Sequence, residues 1–203
     1  LPLAAITSGN ATSEVLAQMN QQITELVTIK IRLQKGDPSL TAEEKARVTT
    51  VAPYNLDAWD GYYVEREVLY GTLKALNKKV VVLAGDTHNA WSADLHSQAG
   101  DFVGVELATS SVSSPGLEEY LNIPMAQLQQ FEMAFTTLID ELNYANLNQR
   151  GYLKVNFTAQ EVQADWVFMS TIKDKSYVVD TARGHQLVLN SALVDVATVQ
   201  KSA

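Results

Sequence analysis

The amino-acid sequence predicts an α/β fold in which helices and buried strands are followed by antiparallel strands. In the first third of the chain, apolar residues recur at helical spacing. The middle contains short, almost entirely apolar runs bounded by turn residues, which is typical of strands buried on both faces. The last third alternates apolar and polar residues, as antiparallel strands with one exposed face do. These patterns favour a mixed sheet with antiparallel carboxyl-terminal strands.

The spacing of apolar residues predicts four helices, over residues 13–35, 41–50, 60–76 and 125–142. The first helix ends near Gly36-Asp37-Pro38, since glycine and proline terminate helices. The second begins at Thr41, which together with Glu44 has the spacing of a capping box.

The predicted strands are Val80–Ala84, Phe102–Ala108 and, in the last third, residues 152–157, 164–172, 177–181 and 186–189. A turn at residues 158–160 joins two of these into an antiparallel hairpin. The serine-rich run at residues 109–116 has the composition of a loop.

Length and charge restrict the class of protein. With 203 residues, the chain is long enough for one domain over residues 1–203, in which residues 1–50 are a helical lead-in. The net charge of -8, without a cluster of lysines and arginines, argues against a nucleic-acid-binding surface and against attraction to membrane surfaces. Cysteine is absent, which excludes disulfides and thiolate metal sites. No apolar run approaches the ~20 residues that cross a bilayer.

The most informative segment is the strand Val80–Ala84 with the residues that follow it. A turn at Gly85 is followed by Asp86 and His88, a carboxylate and an imidazole just past the carboxyl end of a buried strand. These side chains suit iron, manganese, zinc or calcium to different degrees and would form part of a metal site. The alternative is that Asp86 caps a turn and His88 is an exposed loop residue.

A second constellation precedes the third helix. Asp57 and Asp60 flank Trp59, and either carboxylate is placed to cap the helix. Trp59 and Tyr62 are candidates to line a substrate pocket, because large aromatic side chains beside turns often do so. The serines of residues 109–116 lack the Gly-x-Ser-x-Gly elbow of a nucleophile, which argues against serine catalysis. His96 and His185 have no motif around them and are expected to be surface or half-buried histidines rather than ligands.

Five motifs lie along the chain between roughly Asn55 and Ile172. They are Asn55-Leu56-Asp57-Ala58-Trp59-Asp60-Gly61-Tyr62 with Arg66, Val82-Leu83-Ala84-Gly85-Asp86-Thr87-His88-Asn89-Ala90-Trp91 with Asp94-Leu95, Val105-Glu106-Leu107, Thr109-Ser110-Ser111-Val112-Ser113-Ser114-Pro115-Gly116, and Asn146-Leu147 with Arg150-Gly151-Tyr152. In this order and at about this spacing, they resemble the PhoD-like alkaline phosphatase family.

The resemblance implies a metallophosphatase with a four-layer αββα sandwich, whose metals lie at strand ends, bind phosphate and activate a hydroxide. It implies phosphomonoesterase or phosphodiesterase activity on phosphate esters, iron with calcium as metals, and a periplasmic or secreted location. Asp86 matches a metal ligand of the family's Gly-Asp-x-His motif. His88 matches the second residue, either as a metal ligand or as a catalytic contact to the phosphate.

One departure from the family is serious. Most of the family's metal ligands lie in the first half of its catalytic domain, and nothing in residues 1–54 matches them. The chain is therefore expected to be the carboxyl-terminal half of such a domain, inactive alone, and to need the missing amino-terminal half or self-association. A non-catalytic interaction or scaffold domain derived from the same half-fold is the alternative function. A metal-independent hydrolase is a third hypothesis, which the lack of a nucleophile motif disfavours.

Overall fold

Two helices begin the described part of the chain, which the computed structural model gives as residues 12–50 and 56–193. Helix α1 (Ser13–Gln34) is capped by Thr12, whose side chain accepts a hydrogen bond from the amide of Val15. Helix α2 (Ala42–Thr49) begins with the predicted capping box of Thr41 and Glu44. Both helices are confirmed within a residue or two of the predicted ends.

The third helix, α3 (Tyr63–Ala75), starts later than predicted and without the predicted cap. Tyr62 occupies the cap position, and no side-chain hydrogen bond closes the helix terminus. The expectation that Asp57 or Asp60 caps α3 is therefore wrong. Asp60 instead pairs with Arg66, at 2.8 Å between Oδ1 and Nη1.

The fourth predicted helix is shorter than expected and is preceded by two short helical turns. A one-turn helix, α4 (Leu117–Tyr120), and a 3₁₀ turn (Met125–Gln127) lead into α5 (Leu128–Leu138). The backbone becomes extended at Ile139, so the prediction of helix up to residue 142 is wrong. Leu142 belongs to a strand, where it lies opposite Ala93, and its side chain is buried in a cluster with residues of α1 and α5.

The first sheet has four strands in the order β1-β3-β2-β4. They are β1 (Val80–Ala84), β2 (Ala90–His96), β3 (Phe102–Ala108) and β4 (Leu142–Asn146). Strands β1 and β3 are parallel, with Ala84 opposite Ala108, whereas β2 is antiparallel to both β3 and β4. The loops after β1 and β3 therefore leave the same edge of the sheet. Strands β2 and β4 were not predicted.

The second sheet is antiparallel, in the order β5-β6-β7. Its strands are β5 (Gly151–Phe157), β6 (Glu161–Phe168) and β7 (His185–Asn190), which confirms the predicted hairpin and the predicted last strand. Strand β6 begins and ends earlier than predicted. The predicted strand at residues 177–181 is wrong: only an isolated bridge joins Val179 to Met169 in this region, and Tyr177, Val178 and Val179 are exposed.

The hydrophobic core lies between three layers. The two sheets pack face to face around Ala90, Val105, Leu107, Val162, Ala164, Trp166, Phe168 and Leu189. The other face of the first sheet packs on α1 and α5 through Met19, Ile23, Phe131, Ala134, Leu142 and Ala145. The described residues thus form an α-β-β arrangement, three of the four layers of the expected sandwich, and the α/β class with a mixed sheet is confirmed.

Apolar side chains remain exposed on helix α3 and on the edge strand β1. Helix α3 has no buried residue, and Val64 and Val68 are 56% and 60% exposed. Strand β1 lies at the edge of its sheet, where Leu83 is 57% exposed. We call these residues, with Leu69, the β1–α3 face. Within the described ranges, no helix combines the length and the apolar character that would carry it across a membrane.

Candidate active-site loop

Residues 85–89, which we call the Asp-His loop, join β1 to β2 at the carboxyl edge of the parallel pair. Asp86 and His88 both have positive φ, 64° and 61°, in the left-handed region that residues other than glycine rarely adopt. Each such residue costs about 1–2 kcal/mol of backbone free energy. Backbone strain of this kind clusters at functional sites, because the surrounding structure has to impose it.

Contacts from a neighbouring segment hold this strained loop. The His88 Nδ1 atom lies 2.8 Å from the carbonyl oxygen of Pro115. Asn89 is buried, and its Oδ1 accepts a hydrogen bond of 2.9 Å from the amide of Leu117. Its Nδ2 donates to the carbonyl of Thr87 at 2.6 Å. The loop is thereby fastened to residues 115–117, which follow the carboxyl end of β3.

The two predicted site residues differ in exposure. Asp86 is exposed, and within the described ranges its carboxylate has no hydrogen bond or ion pair, so the alternative that it caps a turn is wrong. His88 is half-buried rather than fully exposed. The described residues contain no group of three or more His, Asp or Glu side chains that could hold a metal ion. The roles of Asp86 and His88 as metal ligands therefore stay a prediction.

A buried ion pair lies next to the loop and was not predicted from the sequence. Arg150 Nη2 contacts Glu118 Oε1 at 2.8 Å, and both side chains are buried. Glu118 follows Gly116, where a Cβ atom would lie only 2.5 Å from the Glu118 carboxylate and 2.4 Å from the carbonyl of Leu147. A glycine is therefore required for these segments to approach. The sequence signal for Arg150 is its place in the Arg150-Gly151-Tyr152 motif of the family resemblance, but that motif did not predict the ion pair with Glu118.

A second polar network includes Gln149, the residue before Arg150. Arg183 Nη2 contacts both carboxylate oxygens of Glu132, at 2.7 and 2.9 Å, and Arg183 Nε donates to Gln149. The Glu132 carboxylate also accepts a hydrogen bond from the amide of Leu147. This network fixes the segment after β4 against α5.

A cleft of about 990 Å³ opens beside these ion pairs. Its walls are mixed, with charged residues next to apolar ones, and include Pro115, Glu118, Met125, Arg150, Ile172 and Lys173. Pro115, which holds His88, is one of the residues that line it. The cleft and the Asp-His loop are therefore adjacent.

Trp59 and Tyr62 lie together, but not in this cleft. Both line an open depression of about 430 Å³ with Asp57, Ala58 and Glu65, and each is 53% exposed. Trp59 and Tyr62 thus line one depression, and their expected contact with a substrate stays a prediction. Asn55, the first residue of that motif, lies outside the described residues.

The loop serines Ser110 and Ser111 and the other two histidines, His96 and His185, are described by their packing and hydrogen bonds within the fold. Ser110 is buried, and its hydroxyl has no hydrogen-bond partner among the described residues, while Ser111 donates to the carbonyl of Ser114. His185 stacks on Tyr144 with ring centroids 3.8 Å apart, and His96 packs edge-on against Phe102. Burial raises the pKa of the Tyr144 phenol to about 12, so this ring pair keeps a neutral tyrosine.

The fold is thus an α/β class with two packed sheets, and Asp86 and His88 lie beyond the carboxyl end of a parallel strand, where α/β proteins commonly bind ligands. Comparison with known families gives a match to the PhoD-like phosphatase family over residues 7–166. The chain belongs to this family, and the resemblance found in the sequence is confirmed.

Two relatives show how much of the family's architecture the chain contains. It is 27% identical over 139 residues to alkaline phosphatase D of Bacillus subtilis (strain 168), covering 66% of this chain and 22% of that protein. A solved structure titled "Structure of PhoD" is similar with a TM-score of 0.56 and 26% identity, covering 70% of this chain and 27% of that one. The chain thus spans about a fifth of the length of the curated relative it matches.

Proposed function

We propose that residues 1–203 form a single unit, which is the carboxyl-terminal half of the catalytic domain of a PhoD-like phosphate-ester hydrolase. Membership of the phosphatase family supports a phosphatase-type function. The observation that carries the proposal is the Asp-His loop: among the described residues, the Asp86 carboxylate has no hydrogen bond or ion pair, and His88 contacts a partner through Nδ1 alone. By resemblance, the complete protein acts on phosphomonoesters or phosphodiesters and is periplasmic or secreted.

The donor chemistry of the loop fits a metal. Phosphatases of this family are generally metal-dependent, and we propose iron with calcium. Asp86 offers a hard carboxylate oxygen and His88 an imidazole nitrogen, which hard and borderline cations accept. A bound metal would polarise a phosphoryl oxygen and lower the pKa of bound water. Two donors are fewer than a complete site needs, so we propose that the others come from the missing amino-terminal half.

This chain's own residues would bind and orient the substrate. Asp86 would hold the cation, and His88 would contact either the cation or the phosphate. The adjacent cleft supplies room for the organic group of the ester, with Met125 and Ile172 for apolar parts and Lys173 for negative charge. We propose that Trp59 and Tyr62, which line the more open depression, also contact the substrate.

We expect the 203-residue chain alone to contain little metal and to show little or no turnover. After incubation with iron and calcium and removal of free ions, inductively coupled plasma analysis should give well under one metal per chain. Hydrolysis of p-nitrophenyl phosphate and bis-p-nitrophenyl phosphate should stay near the uncatalysed rate. The metal content per chain should be lower still in Asp86→Asn, whereas the control Asp174→Asn, at an exposed position, should have the same metal content as the unaltered chain. Stoichiometric metal with turnover would show that the chain is not an incomplete half.

A non-catalytic interaction domain is the second candidate, favoured by the incomplete donor set of the described residues and by the exposed β1–α3 face. The coding sequence upstream of Leu1 separates the two candidates. In-frame Asp-rich motifs there support the enzyme, and a start codon directly before Leu1 supports the interaction domain.

In isolation, the chain is expected to self-associate through the β1–α3 face. Exposed apolar area of this kind is normally covered, and the free edge of β1 offers unpaired backbone groups to another strand. The double variant Val68→Lys, Leu83→Lys should shift the mass measured by light scattering toward the monomer over a concentration series. The control Met133→Lys changes a 63%-exposed side chain on α5 and should leave the mass unchanged. A monomer at all concentrations would contradict this expectation.

A further inference from the structure

The His88 ring has one engaged nitrogen. A carbonyl oxygen accepts hydrogen bonds and donates none, so the 2.8 Å contact between His88 Nδ1 and the Pro115 carbonyl places the proton on Nδ1. The structure shows no hydrogen bond to Nε2 within the described ranges, and this atom is not among the buried unpaired ones. In the neutral ring, Nε2 therefore carries an available lone pair.

Asn89 is placed to maintain this arrangement. Its Oδ1 accepts from Leu117, two residues after Pro115, and its Nδ2 donates to Thr87, the residue before His88. The one side chain thus fixes the backbone on both sides of the contact between His88 and Pro115. Asn89 is only 3% exposed, so its bonds are shielded from water.

The strain of the loop shows why such a clamp is needed. His88 has a φ of 61°, which is unfavourable for a residue with a Cβ atom. Without the two bonds of Asn89, the loop can relax toward ordinary φ values, and the ring moves away from the Pro115 carbonyl. Removing a buried hydrogen-bonding group also leaves the Leu117 amide and the Thr87 carbonyl unpaired.

We infer that Asn89 is a positioning residue that fixes the imidazole of His88 in the Nδ1-protonated tautomer, with Nε2 presented to a ligand. Resting on the proposed function, this makes Nε2 the atom through which His88 meets a metal or a phosphate. Partners that orient a ligating histidine in this way commonly change metal affinity about 10–100-fold when they are removed.

The test reads the tautomer directly, without metal or substrate. Long-range ¹H–¹⁵N spectra of the 203-residue chain, recorded above the imidazole titration, separate pyrrole-type from pyridine-type nitrogens. We expect His88 to show a protonated Nδ1 and an unprotonated Nε2, whereas His96, which is exposed, serves as an averaged reference. In Asn89→Leu, which is similar in size and uncharged, the His88 pattern should become averaged. The control Asn156→Leu, at an exposed position on β5, should leave it unchanged.

Two results would overturn the inference. One is an averaged or Nε2-protonated His88 in the unaltered chain, which is decisive even if Asn89→Leu fails to fold. The other is an unchanged His88 pattern in Asn89→Leu and also in Asn89→Asp, which keeps the acceptor and loses the donor.

A titration with Mn²⁺ alone separates this inference from the proposed function. Paramagnetic broadening at His88 should appear at weak affinity in the unaltered chain and require about tenfold more Mn²⁺ in Asn89→Leu. A fixed tautomer with no broadening at any concentration would contradict metal binding at this loop while supporting the positioning role. Equal broadening in both chains would contradict the positioning role.

Discussion

Replacing Trp166 by alanine is expected to lower the free energy of unfolding by about 3–5 kcal/mol, the usual cost of truncating a buried aromatic residue. Trp166 is 1% exposed and lies in the core between the two sheets. Its Nε1 also donates to the carbonyl of Ala108, the last residue of β3, at 2.9 Å. The substitution therefore leaves a cavity and removes a hydrogen bond between the two sheets. Urea unfolding followed by circular dichroism measures the difference.

Trp59 provides the matched control for this substitution. It is the same residue type but 53% exposed, in the open depression before α3. Trp59→Ala is expected to change the free energy of unfolding by less than about 0.5 kcal/mol, as exposed positions usually do. Similar losses for both variants would mean that Trp166 does not join the two sheets in the way described.

The second large effect is expected at the buried ion pair. Arg150→Met should destabilise the protein by about 3–5 kcal/mol, because it leaves the Glu118 carboxylate buried without its cation. The double variant Arg150→Met, Glu118→Gln should recover part of this loss, since the second change removes the uncompensated charge. Urea unfolding of the two single variants and the double variant completes the cycle.

An exposed pair is the control for this cycle. Arg47 and Glu25 are 2.6 Å apart, but their side chains are 38% and 52% exposed. Water screens such a pair, so Arg47→Met should leave the unfolding midpoint almost unchanged. If Arg150→Met behaves like Arg47→Met, the pair between Arg150 and Glu118 is not a buried one.

Local patterns in the sequence were enough to predict the elements that depend on local interactions. Strand β1 and the capping box of Thr41 and Glu44 are observed as predicted. Strand β2 was missed because Ser92 and Asp94 interrupt its apolar residues, and its stability depends on pairing with β3 and β4. The segment at residues 177–181 shows the opposite case: β-branched residues favour a strand, but a continuous partner is needed to form one.

In the candidate site as well, local features could be predicted from the sequence, whereas contacts between distant segments could not. The location of Asp86 and His88 after β1 follows from the strand and the glycine that precede them, and the sequence predicted it. The clamp of Asn89 and the pair between Glu118 and Arg150 were not predictable, because each joins segments about thirty residues apart. Such contacts depend on the order of strands in the sheet, which places β3 between β1 and β2.

The segment around Pro115 has a consequence for how the site responds to ligands. The carbonyl oxygen of Pro115 contacts Nδ1 of His88, and Pro115 is also one of the residues that line the cleft. Under the proposed function, a molecule in the cleft that displaced Pro115 would change the geometry of His88 and hence its affinity for a ligand. Thermodynamic reciprocity would then require the ligand on His88 to change the affinity of the cleft by the same factor. Binding in the cleft and binding at the loop would be coupled.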